Sequence, residues 1–434
     1  MIKRLLLGLA GLLIVAGIAV IALSWHFPIA PVAPPVAGAF SQQIVAQGAV
    51  LAGVGNCAAC HTVKGGPSFA GGFGIDTPFG KLYSTNITPD LSTGIGNWSQ
   101  AAFKRAMTQG VRRDGAHLFP AFPYTHFTTV SDADLTALYA FLMTRPPVIA
   151  QARENTVPFP LNVRAFQAVW KQLYFKEGAL PTNAAKSLDW NRGRYLAEGL
   201  AHCASCHTPR NALGAERPDA AYFGANLDGW YAPALTSANT AALPWTEAEL
   251  FTYLRSGATA LHGVAAGPMS EVVHDGLAQS SDADLHALAA YYADLNGSAS
   301  APAGAGARTD VVLAGVMQKS AQTAGLQNDR GATLYLAACA SCHANSAGTP
   351  GLLRPELGLN SSMTAAEPTN LIRVILRGVG RDEGIPGVMM PGFAATLSDT
   401  EVAELSTYLR RRTSLPAWKN LDSSIAEARK NSRP

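Results

Sequence analysis

The sequence predicts an all-α protein with one N-terminal transmembrane helix followed by three small helical domains. The first supporting observation is an unbroken apolar run from Leu5 to Trp25, which is long enough to cross a bilayer as a helix. The second is a pattern that occurs three times after this run. In each copy a glycine-containing amphipathic stretch comes first, and an apolar helix closes the unit. A serine with an acidic residue three positions later predicts the start of each closing helix, at Ser131, Ser281 and Ser398.

The charged residues at the start of the chain give the predicted transmembrane helix an orientation. Lys3 and Arg4 precede the apolar run, so we expect them on the cytoplasmic side of the inner membrane and the rest of the chain in the periplasm. The run is longer than the apolar core of a usual signal peptide, which favours a retained anchor; cleavage near Ala37–Ala39 is the alternative. The prolines from Pro28 to Pro35 predict a stiff tether.

All six cysteines lie in three copies of one short motif, C-x-x-C-H. This motif is the attachment signature of c-type haem, in which the thiols form thioethers with the haem vinyl groups and the histidine binds the iron. A zinc site needs four ligands, usually from two such pairs, and a thioredoxin-type C-x-x-C does not need the histidine. The sequence therefore predicts three haem c groups in three tandem class I cytochrome c domains. The cysteines are Cys57, Cys60, Cys203, Cys206, Cys339 and Cys342, and the histidines are His61, His207 and His343.

Composition and motif spacing predict the domain boundaries. The stretch SASAPAGAGA is typical of a flexible linker, whereas the connection after the first haem domain is rich in aromatic residues, which indicates a packed segment. We expect a transmembrane anchor at 1–25, a proline-rich tether at 26–40, cytochrome c domains at 41–145, 188–297 and 326–415, an aromatic connector at 146–187, a flexible linker at 298–325 and a polar, frayed tail at 416–434.

Methionines before the closing helices are the candidate sixth ligands of two haem irons. Methionine ligation raises the reduction potential and suits electron transfer. In the second domain the candidate is Met269, twelve residues before Ser281. In the third domain it is Met390, because the proline that follows stiffens the loop; Met389 is the alternative.

The first domain lacks a methionine in the corresponding loop. Its sequence there is HLFPAFPYTHFTTV, and His126 lies five residues before Ser131. Imidazole is an accepted haem ligand, so we predict His126 as the sixth ligand. Met107, which falls in a helical stretch further upstream, and His117 are the alternatives.

The composition excludes several other functions. A formal net charge of +3 does not suggest a nucleic-acid partner, and haem propionates would make the holoprotein more acidic. No glycine-rich dinucleotide loop is present, so the chain is predicted to carry electrons rather than to catalyse a reaction. A haem enzyme, such as a peroxidase or a thiosulfate-oxidising cytochrome, would need an exchangeable iron position, which the candidate methionines disfavour. A shuttle to a terminal oxidase would differ only in its partner.

Four strings in the sequence carry a family resemblance: TPFGKLYSTNITPD, GVRRDGAHLFPAFPY, WNRGRYLAEGLAHCASCHTPRNALG and GPMSEVV. With them, residues 41–412 resemble the triple-haem cytochrome c subunits of bacterial membrane-bound periplasmic dehydrogenases. The resemblance implies an electron-transfer subunit that is not an enzyme by itself. Such a subunit takes electrons from a catalytic dehydrogenase and passes them to ubiquinone in the membrane.

The resemblance also bears on the catalytic partner. The string FPYTHFTTVSDADLTALYAFLMTRPPV is similar to the branch that serves molybdenum hydroxylases, where a histidine often stands at the place of His126. The alcohol dehydrogenase branch more often has a methionine where this chain has Val130. The resemblance thus implies a molybdopterin-type subunit that oxidises aldehydes or N-heterocycles, with a [2Fe–2S] subunit. A quinoprotein (PQQ) alcohol dehydrogenase or a flavin gluconate-type dehydrogenase is the alternative.

Overall fold

The structure, a computed structural model, describes residues 2–227, 229–300, 305–321, 328–345, 350–353 and 355–430. Most elements in these residues are α-helices. The helices are α1 (Ile2–Ser24), α2 (Gln42–Val54), α3 (Cys57–His61), α4 (Gln100–Gln109), α5 (Tyr124–Phe127), α6 (Asp132–Met143), α7 (Phe166–Tyr174), α8 (Leu188–Glu198), α9 (Ala204–His207), α10 (Glu247–Ser256), α11 (Pro268–Glu271), α12 (Asp282–Leu295), α13 (Ala305–Ala321), α14 (Arg330–Ala338), α15 (Ala340–His343), α16 (Ser361–Thr364), α17 (Thr369–Arg377), α18 (Asp399–Arg412) and α19 (Leu421–Lys430). Short 3-10 turns lie at Pro218–Ala220, Ser298–Ser300 and Leu357–Leu359, and a π-helical turn at Val272–Gly276.

The prediction of an all-α fold is wrong, because the described residues also contain antiparallel hairpins. The strands are β1 (Gly74–Thr77) with β2 (Gly80–Tyr83), β3 (Ala225–Leu227) with β4 (Trp230–Ala232), and β5 (Ala258–Thr259) with β6 (Gly263–Val264). The first hairpin turns at Thr77, whose hydroxyl donates to the Gly80 carbonyl over 2.6 Å. Gly80 has a φ of 118°, which favours glycine. Helical periodicity in the sequence does not indicate such short strand pairs, which are bounded by glycine.

The prediction of a transmembrane helix is also wrong. A helix, α1, does form over the N-terminal apolar run, but none of the helices in the described part of the chain is long and apolar enough to cross a membrane. Within its own compact unit α1 packs against α7 of the aromatic connector. The apolar run thus has a contact inside the protein, which its length alone did not reveal.

The described chain divides into two compact units. The first unit comprises Met1–Ala184 with Tyr195–His202 and Ala212–Ala215. The second comprises Ala185–Arg194, Cys203–Asn211 and Glu216–Pro434. The first C-x-x-C-H motif lies in the first unit, and the other two lie in the second.

In each haem-motif region a leading helix packs closely against a closing helix, and a glycine allows the approach. A Cβ atom added at Gly48 on α2 would overlap the carbonyl oxygen of Ala137 on α6. The pairs α8 with α12 and α14 with α18 are arranged alike, with Gly193 facing the carbonyl oxygen of Ala287 and Gly331 facing that of Glu404. These contacts explain why the amphipathic stretch before each motif carries a glycine.

The predicted serine caps of the closing helices are confirmed. Each serine hydroxyl accepts a hydrogen bond from the backbone N–H three residues on, over 3.2 Å at Ser131, 3.1 Å at Ser281 and 3.3 Å at Ser398. Of the three closing helices, α18 alone has the full capping box, because Glu401 there accepts a return bond from the Ser398 N–H over 2.9 Å.

Two stretches differ from the predicted linker and tail. A helix, α13, occupies part of the 298–325 segment, whose residues 301–304 and 322–325 lie outside the described residues. The tail contains α19, which packs on α17 and α18 with Trp418, Ile425 and Ala428 buried. Arg429 of α19 also donates to the backbone carbonyls of Ala394 and Leu397. The polar composition of the segment did not predict this helix, because only a few of its residues face the core.

Candidate haem-attachment sites

Each C-x-x-C-H motif folds as a single helical turn. In the second and third motifs the histidine N–H donates to the carbonyl of the first cysteine, over 3.1 Å from His207 to Cys203 and 3.0 Å from His343 to Cys339. A helical turn brings residues three and four positions apart onto one face. The two thiols and the imidazole of each motif therefore face the same side. All six cysteines lie in the described part of the chain, and no disulfide joins any of them.

The three motif histidines share one hydrogen bond that fixes their tautomer. Each ring Nδ1 lies within hydrogen-bond distance of a backbone carbonyl, and because a carbonyl can only accept, Nδ1 carries the proton. The lone pair is then on Nε2, the arrangement usual for histidines that bind a metal. The acceptors are the carbonyls of Thr85 at 2.7 Å from His61, Pro233 at 2.7 Å from His207 and Pro355 at 3.3 Å from His343.

The surroundings of the motifs suit an apolar macrocycle. Desolvation lowers the pKa of His61, His207 and His343, so each imidazole is neutral, which is the form that binds iron. Desolvation also raises the pKa of Cys57 to about 12 and that of Cys339 to about 11. Two thiols beside a neutral imidazole with its lone pair on Nε2 fit haem c, and the second thiols of the first and third motifs, Cys60 and Cys342, are exposed.

The candidate ligands of the first domain have different surroundings. His126 lies on α5, and its Nδ1 donates to the Glu198 carbonyl over 2.9 Å, as in the motif histidines. The Nδ1 of His117 instead lies 2.9 Å from the Lys171 amine nitrogen, a contact that none of the motif histidines shares. Met107 is a buried side chain of α4.

The methionine candidates lie on constrained backbone. Met269 is half-buried on α11, whose N-cap Gly267 has a φ of 57° and packs against the indole of Trp230. Met390 is half-buried, and its backbone exchanges two hydrogen bonds with Val379, over 3.1 and 3.0 Å. Met389 is 57% exposed.

Sequence reasoning missed the buried lysine that joins the connector to the first domain. The Lys171 ammonium donates to the carbonyls of Gln109 and Gly110 at the end of α4, over 2.5 and 2.8 Å. It also lies 4.7 Å from the ring centroid of Tyr124. The available signal in the sequence was a lysine among the aromatic residues of one short helix.

A C-x-x-C-H turn of this geometry in a mainly helical protein is the mark of a c-type cytochrome. Comparisons with known families agree: residues 45–146 match the cytochrome c family, and residues 326–409 match cytochrome c oxidase, cbb3-type, subunit III.

The chain is also similar to subunits of several bacterial dehydrogenases. It is 44% identical over 425 residues to a nicotinate dehydrogenase subunit of Pseudomonas putida, covering 96% of this chain and 34% of that protein. It is 37% identical to the fructose dehydrogenase cytochrome subunit of Gluconobacter japonicus, covering 84% of this chain and 78% of that subunit. It is also 37% identical to the gluconate 2-dehydrogenase cytochrome c subunit of Pantoea cypripedii, covering 85% of each.

The chain therefore belongs to the family of cytochrome c subunits of bacterial dehydrogenases, as the sequence motifs predicted. It spans about a third of the length of the nicotinate dehydrogenase relative. It is an electron-transfer subunit that carries haem c and is not the catalytic subunit. The family matches cover two of the three predicted haem domains, and one relative, 36% identical over 249 residues, is a dihaem cytochrome c-type protein.

Proposed function

We propose that the chain is a periplasmic three-haem subunit that takes electrons from a molybdenum-containing dehydrogenase and delivers them to ubiquinone. The observation that carries the proposal is the shared geometry of the three motifs, in which each histidine donates its Nδ1 proton to a carbonyl. The second motif has this geometry as fully as the other two, which supports a haem in the domain that no family match covers. When bound, each haem c accepts and releases one electron at its iron.

The residues that would hold the three haems follow from the same geometry. The six motif cysteines form the thioethers, and His61, His207 and His343 bind the irons from one side. We propose Met269 and Met390 as the opposite ligands of the second and third irons. For the first iron we propose His126, whose ring is oriented by the Glu198 carbonyl as the motif histidines are oriented by theirs.

The catalytic partner is proposed to be of the molybdopterin type, accompanied by a [2Fe–2S] subunit. The nicotinate dehydrogenase relative supports this choice, because its match covers 96% of the chain at 44% identity. The alcohol dehydrogenase relatives, such as that of Gluconacetobacter polyoxogenes, are 35% identical over 85% of the chain. The alternative catalytic partners are a quinoprotein alcohol dehydrogenase, supported by these relatives, and a flavin dehydrogenase, supported by the gluconate relative.

Affinity purification of the tagged chain from its native cells tests the proposal. We expect co-purified molybdopterin and [2Fe–2S] subunits, and a complex that reduces ubiquinone analogues with an aldehyde or an N-heterocycle as donor. Recovery of a quinoprotein or flavin subunit instead would replace the partner. Recovery of no dehydrogenase at all would overturn the proposed function.

A further inference from the structure

The carbonyls that accept from the three motif histidines are followed by residues of different charge. The next residue is Asn86 in the first domain, Ala234 in the second and Glu356 in the third. All three are buried, with exposed fractions of 4%, 4% and 2%. One backbone position beside the iron-binding histidine thus holds an amide, a methyl group and a carboxylate in turn.

Asn86 and Glu356 occupy equivalent local structures. The Asn86 side-chain oxygen accepts from the N–H of Thr88, two residues on, over 2.9 Å. A Glu356 carboxylate oxygen likewise accepts from the N–H of Gly358, two residues on, over 3.0 Å. The carboxylate therefore stands in the third domain where the first has a neutral amide.

Hydrogen-bond donors and one cation surround the Glu356 carboxylate. Its second oxygen accepts from the Asn345 amide over 3.0 Å. The Arg412 guanidinium lies 3.9 Å away, with its own side chain only 10% exposed and its Cζ atom 5.1 Å from the ring centroid of Tyr335. Among the described residues, the Glu356 carboxylate is therefore a hydrogen-bond acceptor for two N–H donors with a guanidinium nearby. Because both charges are buried, water screens neither of them well.

A buried charge close to a haem ligand acts on the equilibrium between ferric and ferrous iron. A negative charge stabilises the ferric form, which carries one more positive charge, and so lowers the reduction potential; a positive charge does the opposite. In the third domain the carboxylate of Glu356 follows directly on Pro355, whose carbonyl oxygen lies 3.3 Å from Nδ1 of the motif histidine His343. The second domain has only Ala234 at the equivalent position.

We propose that the buried charges of Glu356 and Arg412 set the reduction potential of the third haem. Glu356 lowers this potential, and Arg412 limits that effect. Met269 and Met390 would give the second and third haems the same pair of iron ligands. With the same ligands, these two haems would have similar reduction potentials. The buried charges near the third haem would make its potential differ from that of the second. The proposal rests on the proposed three-haem function, and on no particular dehydrogenase partner.

Opposite charge removals in the third domain provide the test. In the purified holoprotein, Glu356→Gln should raise the potential of one haem and Arg412→Met should lower the potential of the same haem. We expect each change to alter the ferric-to-ferrous ratio at a fixed potential by roughly tenfold, which is about 59 mV for a one-electron couple. The double variant should return towards the wild-type value. Spectroelectrochemical titration of all haems measures these shifts, and the methionine–iron band reports whether the ligand set is intact.

Glu427→Gln is the matched control, because it removes the same charge from an exposed position of α19, which packs on α17 and α18 of the third domain. We expect no measurable shift there, since water and salt screen the charge. Unchanged potentials in both Glu356→Gln and Arg412→Met, or shifts of the same sign in both, would overturn the proposal. Intact mass decides the other question: a holoprotein with two haems refutes the three-haem function, whereas three haems with unchanged potentials refute only this inference.

Discussion

At the scale of single residues, hydrogen bonds decide which imidazole nitrogens can bind iron. Histidine has two ring nitrogens, and the partner of one fixes the protonation of the other. His61 and His126 both donate from Nδ1 to a carbonyl, whereas the Nδ1 of His117 lies 2.9 Å from the Lys171 nitrogen. The sequence left His126 and His117 as competing candidates, and the carbonyl partner is a feature that His126 shares with the motif histidines.

The first prediction concerns the sixth ligand of the first haem. His126→Ala should open one iron to carbon monoxide, because a small side chain cannot replace the imidazole. His126→Met should instead raise one potential and add a methionine–iron absorption band. His117→Gln is the control and should leave the carbon monoxide spectrum unchanged. If reduced His126→Ala treated with carbon monoxide has the wild-type spectrum, His126 is not a ligand and Met107 is the next candidate.

The second prediction concerns the two methionines. Met269→His and Met390→His should each lower the potential of one haem, since imidazole stabilises ferric iron more than a thioether does. The sulfur–iron charge-transfer band at the red end of the spectrum should lose intensity with each substitution. Met389→His is the matched control on the same loop, and its 57% exposed side chain should leave band and potential in place. Loss of the band in Met389→His alone would reverse the assignment.

At the scale of elements, a close backbone contact at a glycine accompanies the side-chain packing between the leading and closing helices. Gly331 on α14 lies against the Glu404 carbonyl of α18, with no space for a Cβ atom. Gly331→Ala should therefore lower the free energy of unfolding by about 1–3 kcal/mol, because overpacking must move one helix. Denaturant unfolding followed by the Soret band measures the loss.

Gly315→Ala is the matched control for Gly331→Ala. Gly315 also lies within a helix of the second unit, α13, but a Cβ atom there would meet nothing within 4 Å. We expect its stability to be unchanged or to rise by about 0.5–1 kcal/mol, as for a glycine in a helix interior. Equal destabilisation by the two substitutions would contradict the role of the close helix contact.

Lys171 joins two elements of the first unit, and its burial predicts a pH dependence. Burial lowers the pKa of the Lys171 ammonium to about 7, whereas a lysine in an unfolded chain titrates near pH 10.4. Between these values the unfolded chain binds more protons, so this lysine makes the free energy of unfolding rise with pH. The free energy of unfolding of the wild type minus that of Lys171→Met should rise from about pH 7 towards pH 10. A difference that is constant over this range would refute the effect.

At the scale of the whole molecule, local patterns were predictable and distant contacts were not. The haem motifs, the capping serines and the leading-helix glycines each depend on residues within one turn or one helix, so the sequence displays them directly. The partnership of Glu356 with Arg412 joins residues far apart in the chain, and α19 owes its burial to a few residues such as Ile425. The hairpins depend on close backbone approach, and the position of α1 depends on its packing against α7. The residue pattern of one segment indicates neither.

The last prediction concerns the number of haems in the whole chain, and it is sharpest in the second domain. No family match covers that domain, yet His207 has the same hydrogen bond to a carbonyl as His61. The wild type should therefore carry three covalent haems by intact mass, and Cys203→Ala/Cys206→Ala should carry two, because both thioethers of one haem are lost. Cys57→Ala/Cys60→Ala and Cys339→Ala/Cys342→Ala are the matched variants and should each lose one haem as well. If the wild type and the Cys203→Ala/Cys206→Ala variant carry the same number of haems, the second motif binds none, and electrons cannot pass through the second domain by way of a haem.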